Sequence, residues 1–540
     1  MNSQPPTPAD LPRSAPHYRL PTTDYRLPTT DYLTILRMRL PAVLVSLVLI
    51  ASPAVAAETQ DIGLTAKNRV IRAAVVRGSS ASAPVVAIIG GLSGDDASSR
   101  AVSAAVSAVD NQPAGRRRYT LIGIAVANPD GSPLVFPPTG VAYRASIESH
   151  VLWRWLGAHA PDLVLIAGTD AASLAHALTD LPVAGIGRIP ARRVDAGARL
   201  LDMIPATIAE SEARRELKGR GRRSPREVAV ELARVYGQEV EQFTYIPGMA
   251  LIGRLRLGHT ADVEKLVAAY INGSRNPLER PNSLVLAGHL VMAELAQRTR
   301  NPAYLAALRK AADVGFTENG EMLESMPYHD EMSDSLFMAT AILARAGQLT
   351  GERRYFDMAA RHIAFMQKLV FRPDGLYRHS PLTDAAWGRG NAFPALGLAL
   401  TLAAFPQDHP GFASILKTFQ QHMTALAPLQ DADGMWHQVI DHPGSYAELS
   451  ATAMLGTSMA IAIRHGWLDV ESYRPRVDAA WQAVKVRTAP DGTLIDVCES
   501  TNKQRSLDDY LRRAALIGRD PRGGAMALIF ATEMAGLGQQ

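Results

Sequence analysis

An α/β domain followed by an all-α (α/α)6 barrel is the architecture the sequence predicts, and three observations carry it. At 540 residues the chain exceeds the roughly 250 to 300 residues at which a single core stops growing, so two domains are expected. Residues 70–209 alternate β-rich runs (84–90, 119–127 and 162–167) with helical stretches (99–109 and 147–159), the pattern of an α/β domain. Beyond Ser224 almost no strand pattern remains, and helical periodicity recurs in twelve segments.

The connections between those twelve alternate between short and long, which in an up-and-down ring places every long loop at one end. The even-numbered segments, such as 391–400 and 450–459, are apolar on nearly every side and are expected to form a buried inner ring. The odd-numbered ones carry charge on one face and are expected outside. Asn319-Gly320, Asp374-Gly375, Asp433-Gly434 and Asp491-Gly492 recur every 55 to 59 residues inside the long loops. Such dipeptides favour tight turns and mark a repeated unit.

Apolar residues make up 47% and charged residues 20% of the chain, a globular composition. Arg37 and Arg39, an apolar run over 40–51 and the small residues Ala54-Val55-Ala56-Ala57 have the three parts of a secretory signal. An exported product with no membrane span in its mature form is therefore expected, with a start at Met38 in place of the Pro-rich tail. The boundaries read as tail and signal 1–57, α/β domain 58–212, a solvated basic linker 213–227 and barrel 228–540. The net charge of +4 is too small to argue for nucleic acid. A single cysteine, Cys498, excludes an intramolecular disulfide and a thiolate metal cage. No feature fixes an oligomeric state.

Loops on a rigid scaffold carry function, so the long-loop end is the place to look. His379, Asp384, Trp387, Arg389 and Asn391 precede the eighth helix, and Trp436, Gln438, Asp441, Tyr446 and Glu448 precede the tenth. An indole face stacks on a sugar ring and a guanidinium grips a carboxylate, so an anionic oligosaccharide is the expected partner, with neither metal nor cofactor. Plainer roles stand beside these: the Trp residues as core, the His residues as loop hydrogen-bonders, and Asp441 or Glu448 as helix caps.

Four motifs, Ser333-Asp334-Ser335-Leu336-Phe337-Met338, Gly375-Leu376-Tyr377-Arg378-His379, Trp387-Gly388-Arg389-Gly390-Asn391 and 434–441 followed by 446–454, resemble in order and spacing those of glycoside hydrolase families 88 and 105. The resemblance implies an (α/α)6 barrel that hydrolyses unsaturated glucuronyl or rhamnogalacturonyl residues, protonating and hydrating a C4=C5 vinyl ether. It implies a catalytic Asp384 and Asp334, with His379, Trp387, Arg389, Asn391, Trp436, Gln438, Tyr446 and Glu448 binding substrate. One departure stands out: the family's acid follows its His by three residues, whereas Leu382 occupies that position and Asp384 is the first carboxylate. Another toroid enzyme (a conventional glycosidase, a lyase or an epimerase) and a non-catalytic glycan-binding protein are the competing readings.

The N-terminal part is similar to the zinc carboxypeptidase family through residues 84–98, Asn128-Pro129-Asp130-Gly131 and 161–166. Ser93 and Asp96 stand where that family has metal ligands, and no His follows Ile166. The resemblance therefore implies a degenerate, metal-free domain.

Overall fold

The computed structural model describes residues 57–537. The signal and tail expected over 1–57 lie outside them, apart from the last residue. Six strands form the first layer: β1 (Glu58–Leu64), β2 (Val70–Val76), β3 (Val85–Ile89), β4 (Thr120–Ile124), β5 (Leu163–Ala167) and β6 (Ala191–Val194), in the order β1-β2-β4-β3-β5-β6. The β4-β3-β5-β6 part is parallel, and β1 and β2 add an antiparallel edge. Within the parallel part, the two inner strands β3 and β5 are buried at every residue, as parallel strands covered on both faces must be. Asp96 caps the helix Ala97–Asp110 by accepting from the backbone of Ser98 and Ser99. The described residues contain no cluster of three or more His, Cys, Asp or Glu suited to a metal ion, and no helix among them is long and apolar enough to cross a membrane.

Helices then close into a double ring. The inner ring runs Tyr245–Arg256, Leu290–Thr299, Thr340–Thr350, Gly388–Ala404, Leu449–Arg464 and Pro521–Leu537, each packed on the next and the last on the first. The outer partners are Pro225–Ala233, Thr260–Ile271, Pro302–Asp313, Arg353–Val370, Phe412–Leu426 and Val470–Val486. Gly388–Ala404 is buried at all but two of its positions, whereas Arg353–Val370 buries one face, so the apolar and amphipathic patterns sort the two rings as expected. The four predicted turns repeat one bond: Thr317, Arg372, Asp431 and Ala489 each donate from the backbone to the carbonyl four residues on, at 2.8 to 2.9 Å. Gly320, Gly375, Gly434 and Gly492 occupy the same place in each turn with φ of +80° to +86°, a left-handed conformation that favours glycine.

Three expectations need correction. The basic run is no solvated linker: Glu212–Arg222 is a helix packed on Val470–Val486. There Arg220, 5% exposed, pairs with Glu216 at 2.8 Å, and Arg223 donates to the Lys485 carbonyl. Capping carbonyls at the end of a neighbouring helix uses the dipole favourably. The barrel also contains a β-hairpin, Leu494–Cys498 paired with Ala515–Gly518, in the long loop before the last helix. Finally, two inner segments break after one turn, at His289 and at Ala339.

His289, His362 and His422 are buried in or beside the ring, and burial pulls their pKa values down, to about 4 for His289 and about 3 for His362. They stay neutral when folded but take a proton near 6.5 when unfolded, so their contribution is complete above about pH 6.5 and is lost as pH falls through the folded values. Melting temperature should therefore drop between pH 7 and pH 4. Replacing His289 with Leu should flatten that drop, and a slope unchanged by the replacement contradicts the assignment.

Candidate active site at the barrel mouth

The α/β layer sits on the long-loop end of the barrel, and the two share one core. Trp387, Val439, Tyr446, Ile495 and Tyr510 from the loops pack with Val151, Leu152 and Trp153 from the helix Ile147–His159. A buried ion pair, Arg154 with Asp496, crosses the boundary. The layer thus packs on the long loops at the barrel mouth through a largely apolar contact with one buried ion pair.

Two glycines in the Trp387 to Asn391 motif explain its shape. A Cβ on Gly388 would lie 2.7 Å from the His437 carbonyl, and the Gly388 N–H donates to the Gln438 carbonyl at 2.7 Å. The loop bearing Gln438 is thereby held against the start of Gly388–Ala404. A Cβ on Gly390 would crowd Ser333 Oγ and the Trp387 and His379 rings at 3.2 to 3.3 Å. Without it, the loop carrying Asp334 closes on His379 and Trp387.

Asp334 and His379 are the centre of the resulting cluster. Asp334 Oδ2 lies 3.1 Å from His379 Nε2, within ion-pair range but off the line of a hydrogen bond. On the other side of the ring, His379 Nδ1 is 2.8 Å from the Tyr510 hydroxyl, which itself accepts from the Gln504 N–H. Burial pushes the Tyr510 hydroxyl up to about 12, so it keeps its proton; in the tautomer where it donates that proton to Nδ1, the ring hydrogen is on Nε2, facing Asp334. The His379 ring is tilted against that of Trp387 at 4.6 Å, and the Arg389 guanidinium sits 4.9 Å over the Trp387 ring, close enough for a cation–π contact. Four buried polar atoms here have no hydrogen-bond partner among the described residues: Asp334 Oδ2, His379 Nε2, Trp387 Nε1 and Gln438 Oε1. Asp334 Oδ2 and His379 Nε2 face each other in poor alignment, and buried polar groups are normally satisfied, so this pair beside Trp387 Nε1 and Gln438 Oε1 marks a place where a ligand supplies partners.

The other candidates go elsewhere. Asp384 is not buried beside aromatics: its side chain is 79% exposed and pairs with Arg378 at 3.0 Å. Asn391 is a structural staple, accepting from the Tyr377 N–H and donating to the Tyr377 and Trp387 carbonyls. Trp436 is fully buried and donates to the Leu426 carbonyl. Glu448 caps Leu449–Arg464 and also accepts from the Cys498 N–H at 2.9 Å. Arg389 is 2% exposed and committed to the Cys498 carbonyl, Ser450 and Glu448, so it supports the site from behind. Tyr446 stacks on Tyr143 at 4.5 Å and donates to the Ala514 carbonyl. Asp441 pairs with Arg372 and His442. Tyr510, absent from the sequence-based set, comes from a five-residue helix, Leu507–Leu511, too short to show periodicity.

Residues 262–537 match Glycosyl Hydrolase Family 88, 276 of the 540 positions and so just over half of the chain. Among curated proteins, the chain is similar to the unsaturated rhamnogalacturonyl hydrolase YesR of Bacillus subtilis, 28% identical over 186 residues that make up 33% of this chain and 52% of that protein. It is also similar to an unsaturated 3S-rhamnoglycuronyl hydrolase of Formosa agariphila, 26% identical over 177 residues, 29% of this chain and 47% of that one. The chain thus spans about half the length of the curated relatives it matches. A solved glycoside hydrolase from family 105 of C. acetobutylicum aligns at a TM-score of 0.50 and 21% identity, over 58% of this chain and 99% of that one, which shows the barrel fold. On the match of its barrel, the chain belongs to Glycosyl Hydrolase Family 88.

Proposed function

We propose that this protein hydrolyses unsaturated uronyl residues at the non-reducing end of lyase-generated oligosaccharides, with Asp334 as its acid. One observation carries the reading: among the described residues, Asp334 is the carboxylate that keeps a buried oxygen without a hydrogen-bond partner. It does so beside three further unpartnered polar atoms, within a family whose relatives carry such activities in their names.

Conventional glycoside hydrolysis uses two carboxylates, roughly 5 to 10 Å apart, across the scissile bond. Asp384 is on the solvent side, while Glu448 and Asp441 are already engaged, which leaves one. A Δ4,5-unsaturated uronide needs only one, because its double bond and ring oxygen form a vinyl ether that is activated toward protonation. The acid form of Asp334 gives its proton to C4, and the π pair becomes the new C4–H bond. Positive charge then spreads over C5 and the ring oxygen. Water adds at C5, and its proton passes to the Asp334 carboxylate, which restores the acid. The resulting hemiketal opens by breaking the bond from C5 to the ring oxygen, and the hemiacetal left at C1 expels the attached sugar as an alcohol. His379 orients the carboxyl group, and Trp387 Nε1 with Gln438 Oε1 holds hydroxyls.

Incubation with lyase-generated oligosaccharides should remove the ultraviolet absorbance of the C4=C5 bond. A gain of absorbance from intact polymer would identify a lyase instead. In the same assay Asp384→Asn should retain the wild-type kcat, because the exposed side chain serves Arg378. Loss of activity on that substitution alone would return the acid to the loop before the eighth helix.

A further inference from the structure

A second cleft, of about 400 Å³, lies between the α/β layer and the barrel loops. That volume falls within the roughly 300 to 1,000 Å³ of small-molecule pockets. Asp334, His379 and Trp387 do not line it. Its walls come from β1, from the end of the helix Ile147–His159, from the loop around Asp431 and Asp433, and from Arg487 at the end of Val470–Val486.

The carboxylates around it each have a basic partner. On the α/β side, Glu58 pairs with Arg77 at 2.8 Å and Asp61 with Arg72 at 2.9 Å. On the barrel side, Asp431 pairs with His437 at 3.2 Å, Asp433 with His159 at 2.8 Å, and Asp496 with Arg154. Arg487 is not paired in this way. It is 6% exposed, makes one long bond of 3.4 Å to the Ala483 carbonyl, and has an Nε without a partner. No carboxylate among the described residues forms an ion pair with it. The end of its own helix offers it partial negative charge and its charge reaches Asp433 across the cleft, but a buried guanidinium without a carboxylate in contact remains costly.

Arg487 is therefore a guanidinium on the cleft wall with no ion-pair partner among the described residues, which suits the carboxylate of a ligand. The same walls also present carboxylate oxygens that are partly open: the Asp433 side chain is 36% exposed, that of Glu58 35% and that of Asp431 25%. Ionised carboxylates only accept hydrogen bonds, so they favour a ligand rich in hydroxyls and oppose a dianion. Trp155, stacked on His159 at 3.8 Å, adds an aromatic surface for an apolar ring face.

We propose that this cleft binds a sugar acid, with its carboxylate on Arg487 and its hydroxyls on the facing carboxylates, at a site separate from the Asp334 cluster. The proposal stands on the cleft itself and does not depend on the hydrolase reading. It is tested by titrating D-glucuronate, D-glucose and inorganic phosphate calorimetrically into the full chain and into Arg487→Gln, Trp155→Ala and Asp334→Asn. Glucuronate should bind where glucose and phosphate do not. Arg487→Gln should weaken that binding about tenfold or more, the scale of a lost charge-assisted contact, and Trp155→Ala should weaken it too. Asp334→Asn should leave it in place. The ligand-free Arg487→Gln protein should melt no lower than wild type, since an unpaired buried charge has gone. Three outcomes overturn the proposal: equal glucuronate binding by Arg487→Gln; phosphate binding as well as glucuronate; or a lower melting point for Arg487→Gln together with undiminished binding by Trp155→Ala. The first would place the uronate away from this cleft and leave the hydrolase reading standing.

Discussion

Asp334→Asn is expected to lower kcat by about 10² to 10⁴, the range of a general acid–base contribution, while melting temperature and substrate affinity change little. The asparagine keeps the shape of the side chain and a carbonyl oxygen for His379 Nε2, but it has no proton to deliver to C4 and cannot take one from water. Asp334 caps no helix through its side chain and makes no well-aligned hydrogen bond through its buried oxygen, and the asparagine still faces His379, so the fold should tolerate the change. Tyr510→Phe should reduce kcat by a smaller factor, since the ring of His379 would lose the donor on Nδ1 that sets its tautomer. An Asp334→Asn protein with the wild-type rate would remove the acid from this account.

Glu448→Ala is expected to destabilise the protein by about 3 to 5 kcal/mol, the usual cost of removing one partner from a buried charged pair. Its carboxylate accepts from the N–H groups of Ser450, Ala451 and Cys498, and Arg389 lies 3.8 Å away. The alanine would leave Arg389 buried without its carboxylate and would free the start of Leu449–Arg464 from the hairpin strand that carries Cys498. Burial lowers the pKa of a guanidinium, but Cys498 and Glu448 beside it hold that of Arg389 above its ordinary value, so the positive charge stays. Denaturant unfolding should show the loss, and any fall in activity should follow the folded fraction. Full stability with abolished turnover would make Glu448 a catalytic group instead.

The contrast between these two carboxylates shows what the sequence could and could not reveal. The ring was legible because it rests on periodicity: all-round apolar segments such as Gly388–Ala404 go inside, and turns at Gly320, Gly375, Gly434 and Gly492 repeat one bond. The mouth was legible as a place, since its residues cluster in the long loops. Roles inside it were not. Sequence spacing cannot separate a carboxylate that caps a helix, as Glu448 does, from one paired at the surface, as Asp384 is, or one with a buried free oxygen, as Asp334 has. Asn391 and Arg389 sit within the same motif as Trp387, yet three-dimensional partners turn both into supports. The hairpin Leu494–Cys498 with Ala515–Gly518 and the short helix bearing Tyr510 were missed because four or five residues carry no period. The basic run misled because charge density looks like solvation until carbonyls at the end of a neighbouring helix are there to receive it.

The central claim, that one carboxylate hydrates a vinyl ether without attack at the anomeric carbon, has a direct readout in heavy water. When the reaction with an unsaturated uronyl disaccharide is run in D2O and stopped early, before keto–enol exchange, the C4 of the released 4-deoxy-5-keto product should carry one deuterium of single configuration. Release of the attached sugar with no deuterium at C4, the double bond surviving in the product, would contradict the account and require hydrolysis at C1.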